Sequence, residues 1–238
     1  ESLIYCPDLV EEVNFAGCKF DHCTFRSTSN NGQHGTIIEA PKAKKFNITN
    51  ISFDAIIATN GAIKHNPVDS KEGDIIIIQE NTFTNCGELP LFIDSEHADC
   101  IINSNVFTGC QSASQPQAIY VKRSKEVNIT GCTFENNGLG DHNTANNRYV
   151  IEVETATQLN YHSNVISYSE TRYAGGLNTQ SASAYILNSE FSKLHKNSAI
   201  YYVLDSHGSI EVSECVFDGL QGTYSASSDD GPKYSAFL

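Results

Sequence analysis

Apolar and small residues return along this chain in one fixed order, seen most plainly from Val127 to Asn137: Val-Asn-Ile-Thr-Gly-Cys-Thr-Phe-Glu-Asn-Asn. With Phe134 as origin, seven further stretches align without a gap on Phe20, Phe53, Phe83, Phe107, Ile166, Phe191 and Phe217. Seven positions before the origin stand Val13, Phe46, Ile76, Cys100, Val127, Leu159, Ala184 and Ile210. Five before it stand Phe15, Ile48, Ile78, Ile102, Ile129, Tyr161, Ile186 and Val212. Small or buriable residues occupy two further columns: Cys18, Ile51, Asn81, Asn105, Cys132, Asn164, Ser189 and Cys215 two before the origin, and Cys23, Ile56, Cys86, Cys110, Asn137, Ser169, Leu194 and Leu220 three after it.

Within each unit the inward positions lie two, then three, then two apart, which is strand spacing interrupted by one corner residue. The corner column holds Gly17, Asn50, Glu80, Ser104, Gly131, Ser163, Asn188 and Glu214, rich in types that tolerate a bend. A third strand is expected between the loop that ends one unit and the start of the next. It shows in Leu91–Asp94, Ala118–Lys122, Tyr149–Glu154 and Ala199–Asp205, and more weakly around Ala62-Ile63 and Gly176-Leu177. From Phe20 to Phe217 the step averages about 28 residues, within the range of solenoid repeats. The pattern predicts an all-β chain: a right-handed parallel β-helix of about eight coils with three short strands per coil. It runs through residues 1–238 with no Pro- or Ser-rich linker, which predicts one domain. Because it begins and ends in mid-coil without a polar cap, the sequence is expected to be an internal segment of a longer chain, with neighbouring coils of that parent at either end.

Three strands per turn, with the apolar-x-apolar…Gly-Cys-x-Phe-x-Asn-Asn unit of Val127–Asn137, resemble the pectin-lyase-like β-helix superfamily. The units are most similar to the β-helix repeats of surface adhesins and polymorphic membrane proteins. The resemblance covers nearly the whole chain. It implies an extracellular or cell-surface location and places carbohydrate, where it is bound, on the outer face of the third strand.

Composition narrows the partners. Lys plus Arg is 15 against 28 Asp plus Glu, a formal charge of −13, which disfavours nucleic acid, anionic membrane and polyanionic sugar alike. The longest aliphatic run, Ile75 to Ile78, is far too short to span a bilayer, so no membrane insertion is expected. The eight Cys do not read as a disulfide framework. Cys18, Cys132 and Cys215 share a column but never fall on adjacent coils, about 9.6 Å or more apart at sheet spacing. Cys86 and Cys110 are column neighbours whose parallel side chains would strain a bond, so mostly buried free thiols are expected.

Alternation assigns to the outer face of the third strand two rows. One contains Phe92, Tyr120 and Glu152, whose rings suit stacking on sugar. The other contains Asp94, Lys122, Glu154, Asn178 and Asp205, which also reads as a solvated ladder of ion pairs; Tyr201 and Val203 lie on the same face. The expected ligand-binding residues are therefore Phe92, Asp94, Tyr120, Lys122, Glu152, Glu154, Tyr201 and Asp205. For an enzyme, Asp94, Lys122 and Glu152 would carry the chemistry, since glycoside hydrolysis needs two carboxylates about 5–9.5 Å apart. The Asn-Thr-Asp, Asp-Asp and Gly-His-Gly motifs of a polygalacturonase-like site do not occur on successive coils, and Asp229-Asp230-Gly231 falls in a loop. A lyase of the superfamily would place a carboxylate cluster for calcium beside a basic residue, which only Lys122 and Arg123 approach.

No metal-ligand spacing of His or Cys is present, Gly138-Leu139-Gly140-Asp141 is followed by a strand and not by the helix a phosphate loop needs, and Asp205-Ser206-His207-Gly208 cannot form a triad within one turn. Neither metal nor cofactor is expected. Three glycosylation sequons occur, at Asn47, Asn50 and Asn128, with Asn47 and Asn128 in one outward column. The expected function is that of a non-enzymatic extracellular or cell-surface module for adhesion or scaffolding, with carbohydrate or another surface protein as partner. The alternative is a polysaccharide lyase or glycoside hydrolase acting on the outer face.

Overall fold

The computed structural model describes residues 2–8, 10–25, 35–67, 70–112, 116–138, 149–167, 175–194, 199–202 and 208–220. Among them there are strands and connections but no helix, and every strand pairing is parallel. The chain winds as a parallel β-solenoid. An eight-stranded sheet joins the origin strands in order from Lys19–Asp21 to Val216–Asp218. A thirteen-stranded sheet joins the third strands and the strands that open each unit.

The aligned columns are the register of the sheets. Phe20 pairs Phe53, Phe53 pairs Phe83, and the row continues through Phe107, Phe134, Ile166 and Phe191 to Phe217. Val13 pairs Phe46, and that column runs unbroken to Ile210; Phe15 pairs Ile48, and that one runs to Val212. The rings of Phe53, Phe83, Phe107 and Phe134 lie nearly parallel with centroids 4.6–5.1 Å apart, the spacing that the sheet itself imposes. Ile166 interrupts the row, and Phe191 resumes it with Phe217 at 5.3 Å.

All eight predicted corner residues have left-handed backbone, φ between 49° and 67°, so even Glu80 and Glu214 are held where glycine or asparagine is easier. A second left-handed column lies two after the origin, at His22, Ala55, Asn85, Gly109, Asn136, Lys193 and Gly219, with φ between 50° and 67°. Asn85, Gly109, Asn136 and Gly219 are of the types that favour it, whereas Ala55 and Lys193 are not.

The inward residue following each corner ties adjacent turns together. Asn81 accepts from the Ile51 amide and donates to the Ile48 carbonyl, Asn105 does the same to Asn81 and Ile78, and Asn164 to Cys132 and Ile129, all at 2.7–2.9 Å. Cys132 and Cys215 occupy that column and point their thiols at the equivalent carbonyls, Ile102 and Ile186. At the second corner Asn137 accepts from Cys110 N–H and donates to the Phe107 carbonyl, where Cys86 and Cys110 use thiols toward Phe53 and Phe83. Asn and Cys interchange here because either one can donate to a backbone carbonyl of the adjacent turn.

Three expectations need correction. Complete turns number about five and not eight. All eight units are present as rungs, but all five inward positions are buried only in the turns of Phe53, Phe83, Phe107, Phe134 and Phe191; the turns of Phe20 and Phe217 are partly open, and Ser169 of the Ile166 turn lies outside the described residues. The thiols divide accordingly. All eight Cys are free, but burial covers Cys86, Cys100, Cys110 and Cys132, whereas Cys18 is exposed and Cys6, Cys23 and Cys215 are partly so. The third strand is also not always separate: in the central turns it continues into the next unit as one strand of 12 to 14 residues, Leu91–Asn103, Ile119–Thr130 and Tyr149–His162.

Candidate outer-face groove

The third strands present one outward row that is longer than the sequence suggests. Glu39 pairs Lys64, Lys64 pairs Phe92, Phe92 pairs Tyr120, Tyr120 pairs Glu152, Glu152 pairs Asn178 and Asn178 pairs Tyr201. Asn178 thus belongs to the row of Glu152 and not to that of Glu154, a correction that follows from the register of Gly175–Thr179. Its Nδ2 donates to Glu152 Oε1 at 3.0 Å. Asp205 and Val203 lie outside the described residues, as do Asp229-Asp230-Gly231 and most of the Gly138–Asp141 loop.

An open groove of about 290 Å3 lies over this row, at the lower end of ligand-site volumes. Lys64, Phe92, Tyr120 and Lys122 line it on the sheet side, and Thr59, Asn60, Asn66 and Leu89 line it from the connections before, after and between the strands. Phe92 and Tyr120 meet edge to face, centroids 5.4 Å apart at 63°. The groove therefore combines the three expected residues Phe92, Tyr120 and Lys122 with polar side chains of the loops. Sequence reasoning missed Lys64, although it directly follows Ile63 of the weakly marked third strand. The loop residues carry no pattern that would have found them.

Asp94 is buried beside the groove, 4% exposed, and is held by Arg123, whose Nε lies 2.5 Å from Oδ1. The Arg123 guanidinium is correspondingly pushed further toward its charged form, by that hydrogen bond first. Lys122 stands 3.9 Å from the other oxygen of Asp94. A register shift causes this arrangement. Ile93 pairs Val121 but Asp94 pairs Arg123, so Lys122 is the extra residue of a bulge.

Toward the next turns the row becomes acidic. Tyr120 donates its hydroxyl to Glu154 Oε2 at 2.7 Å, and burial followed by that bond pushes the phenol well above its ordinary range. Glu152 is raised, by burial first and by the neighbouring Glu154 second, against the Asn178 bond that lowers it. Tyr201 stacks on Tyr149 at 5.9 Å. Among the described residues no three His, Cys, Asp or Glu side chains converge as metal ligands.

The sequon asparagines sit apart from the groove. Asn47 is half-buried and donates to Asn14 Oδ1 at 3.1 Å; Asn128 is half-buried and accepts from Asn160 Nδ2 at 2.8 Å; Asn50 is exposed on a corner. No family model, no curated protein and no solved structure matches the chain.

Proposed function

We propose that this chain is a non-enzymatic β-helix module of an extracellular or cell-surface protein, serving adhesion or scaffolding, and that it holds carbohydrate in the groove over Lys64, Phe92 and Tyr120. The observation that carries the reading is the groove itself. An aromatic pair on a rigid sheet, ringed by amide, hydroxyl and ammonium groups, suits a ligand with one apolar ring face and many hydroxyls. Stacked turns that touch only their neighbours also suit a stalk or scaffold that extends by adding rungs. Kinship with the pectin-lyase-like superfamily, and with adhesin repeats in particular, rests on the Gly131-Cys132-Thr133-Phe134 unit and belongs to the same proposal, as does glycosylation at Asn47, Asn50 and Asn128.

A lyase or hydrolase is the second reading, and one observation favours it: Glu152, with its carboxyl raised, stands two residues from Glu154 on one strand. Asp94 is a poor partner for such chemistry because Arg123 already occupies it. A glycan array, run beside an assay for new reducing ends and unsaturated products, separates the readings. The expected outcome is glycan binding that is lost in Tyr120→Ala, with no turnover. Turnover abolished by Glu152→Gln would replace the first reading with the second.

A further inference from the structure

The groove is locally cationic on a chain of charge −13, lined by two ammonium groups and no carboxylate. Lys64 is 8% exposed, yet its nearest carboxylate, Glu39, is 3.6 Å away. Lys122 has Asp94 at 3.9 Å. Neither distance is a hydrogen bond, and neither ammonium makes one elsewhere among the described residues. Both ammonium groups therefore line the open groove with donors that water fills and that a ligand with an anionic group could take over. The bulge at Lys122 adds an independent sign, because it turns that side chain out of the ladder beside Phe92 and Tyr120.

The charges also set a limit. Glu39 offsets Lys64, and Arg123 is the closer partner of Asp94, which leaves Lys122 as the cation least compensated. One rung beyond Tyr120 stand Glu152 and Glu154. A second negative charge on the same ligand would meet those carboxylates.

Resting on the carbohydrate reading above, we infer that the groove selects a glycan whose terminal ring bears a single anionic group, a carboxylate or sulfate, held by Lys122 and Lys64 with the ring against Phe92 and Tyr120. Longer polyanions are rejected by Glu152 and Glu154.

The test uses matched pairs of oligosaccharides that end in a neutral hexose or in its 6-carboxylate, together with a polyuronate chain, titrated calorimetrically at low and at physiological salt. The acidic member should bind at least about tenfold more tightly than its neutral partner, with the preference shrinking as salt rises. Lys122→Gln, at a half-exposed position, should bring the preference below about threefold. Because Lys64→Gln alone would strand Glu39, the double variant Glu39→Gln/Lys64→Gln tests the buried ammonium and should also weaken the acidic member selectively. Lys44→Gln, outside the groove, should change nothing. Equal affinity for neutral and acidic members would overturn the inference and leave the carbohydrate reading standing. So would a preference that survives in Lys122→Gln, or polyuronate binding as tight as that of the singly charged ligand. Binding of no oligosaccharide at all would overturn both.

Discussion

At the scale of single residues, the interior holds several titratable groups whose burial shifts their proton affinity. Tyr161 stands in a column otherwise of isoleucine, valine and phenylalanine; its ring reaches Phe191 at 5.9 Å, its buried hydroxyl has no partner among the described residues, and burial pushes the phenol far above its ordinary range. Cys132, buried, has its thiol pushed up to about 11, by desolvation first. His65 is the group with a testable consequence near physiological pH. It stacks on Phe46 at 4.9 Å, donates through Nδ1 to the Ala40 carbonyl at 2.9 Å, and burial lowers it to about 4. A folded-state value below the unfolded 6.5 means that the neutral ring stabilises the fold fully above pH 6.5. That contribution is lost as pH falls from 6.5 toward 4, by about 3 kcal/mol in all. Urea midpoints measured from pH 7 to 4 should therefore fall less steeply in His65→Gln than in the parent. Parallel curves would remove His65 as a cause.

At the scale of the element, the corner is the unit that decides the fold. Two left-handed residues per turn each break the ladder, and the inward Asn that follows accepts from the N–H just past the bend in the adjacent turn while donating to a carbonyl of that turn. Asn105→Ala would leave the Asn81 N–H unpaired in the core and remove a second donor from the Ile78 carbonyl, at a cost of about 2 kcal/mol. Asn105→Cys should cost clearly less, since Cys132 and Cys215 already make the equivalent contact. Denaturant unfolding checks both, and a Cys variant as unstable as the Ala variant would show that the thiol does not replace the amide. The first corner was legible in the sequence because Gly17, Asn50, Gly131 and Asn188 mark its column. The second is marked by type just as well, through Asn85, Gly109, Asn136 and Gly219 and the three-residue step from the origin to the next inward position, while Ala55 and Lys193 hold left-handed backbone against their type.

At the scale of the whole molecule, strict columns made the solenoid readable, because every unit must repeat the same inward set to stack on the next. The number of enclosed turns was less so, since Phe20 and Phe217 share residue type with the buried rings of the row and are nevertheless only partly buried. The groove was half legible. Phe92, Tyr120 and Lys122 follow from alternation, whereas Lys64 comes from a strand of three residues, Ile63–His65, and Asn60, Asn66 and Leu89 come from connections whose paths no periodicity fixes. Asn178 shifted rows because the connection before Gly175 hides where its strand begins.

Hydrogen exchange with and without the tightest-binding oligosaccharide tests the fold and the groove together. Stacking brings residues 59–66, 89–93 and 119–122 to one face although they are far apart in sequence. Added protection in those three segments, with none in Ala43–Thr49 on the other side of the turn, is the predicted result. Protection confined to a single segment, or centred on the first-strand face, would contradict the placement of the site on this solenoid.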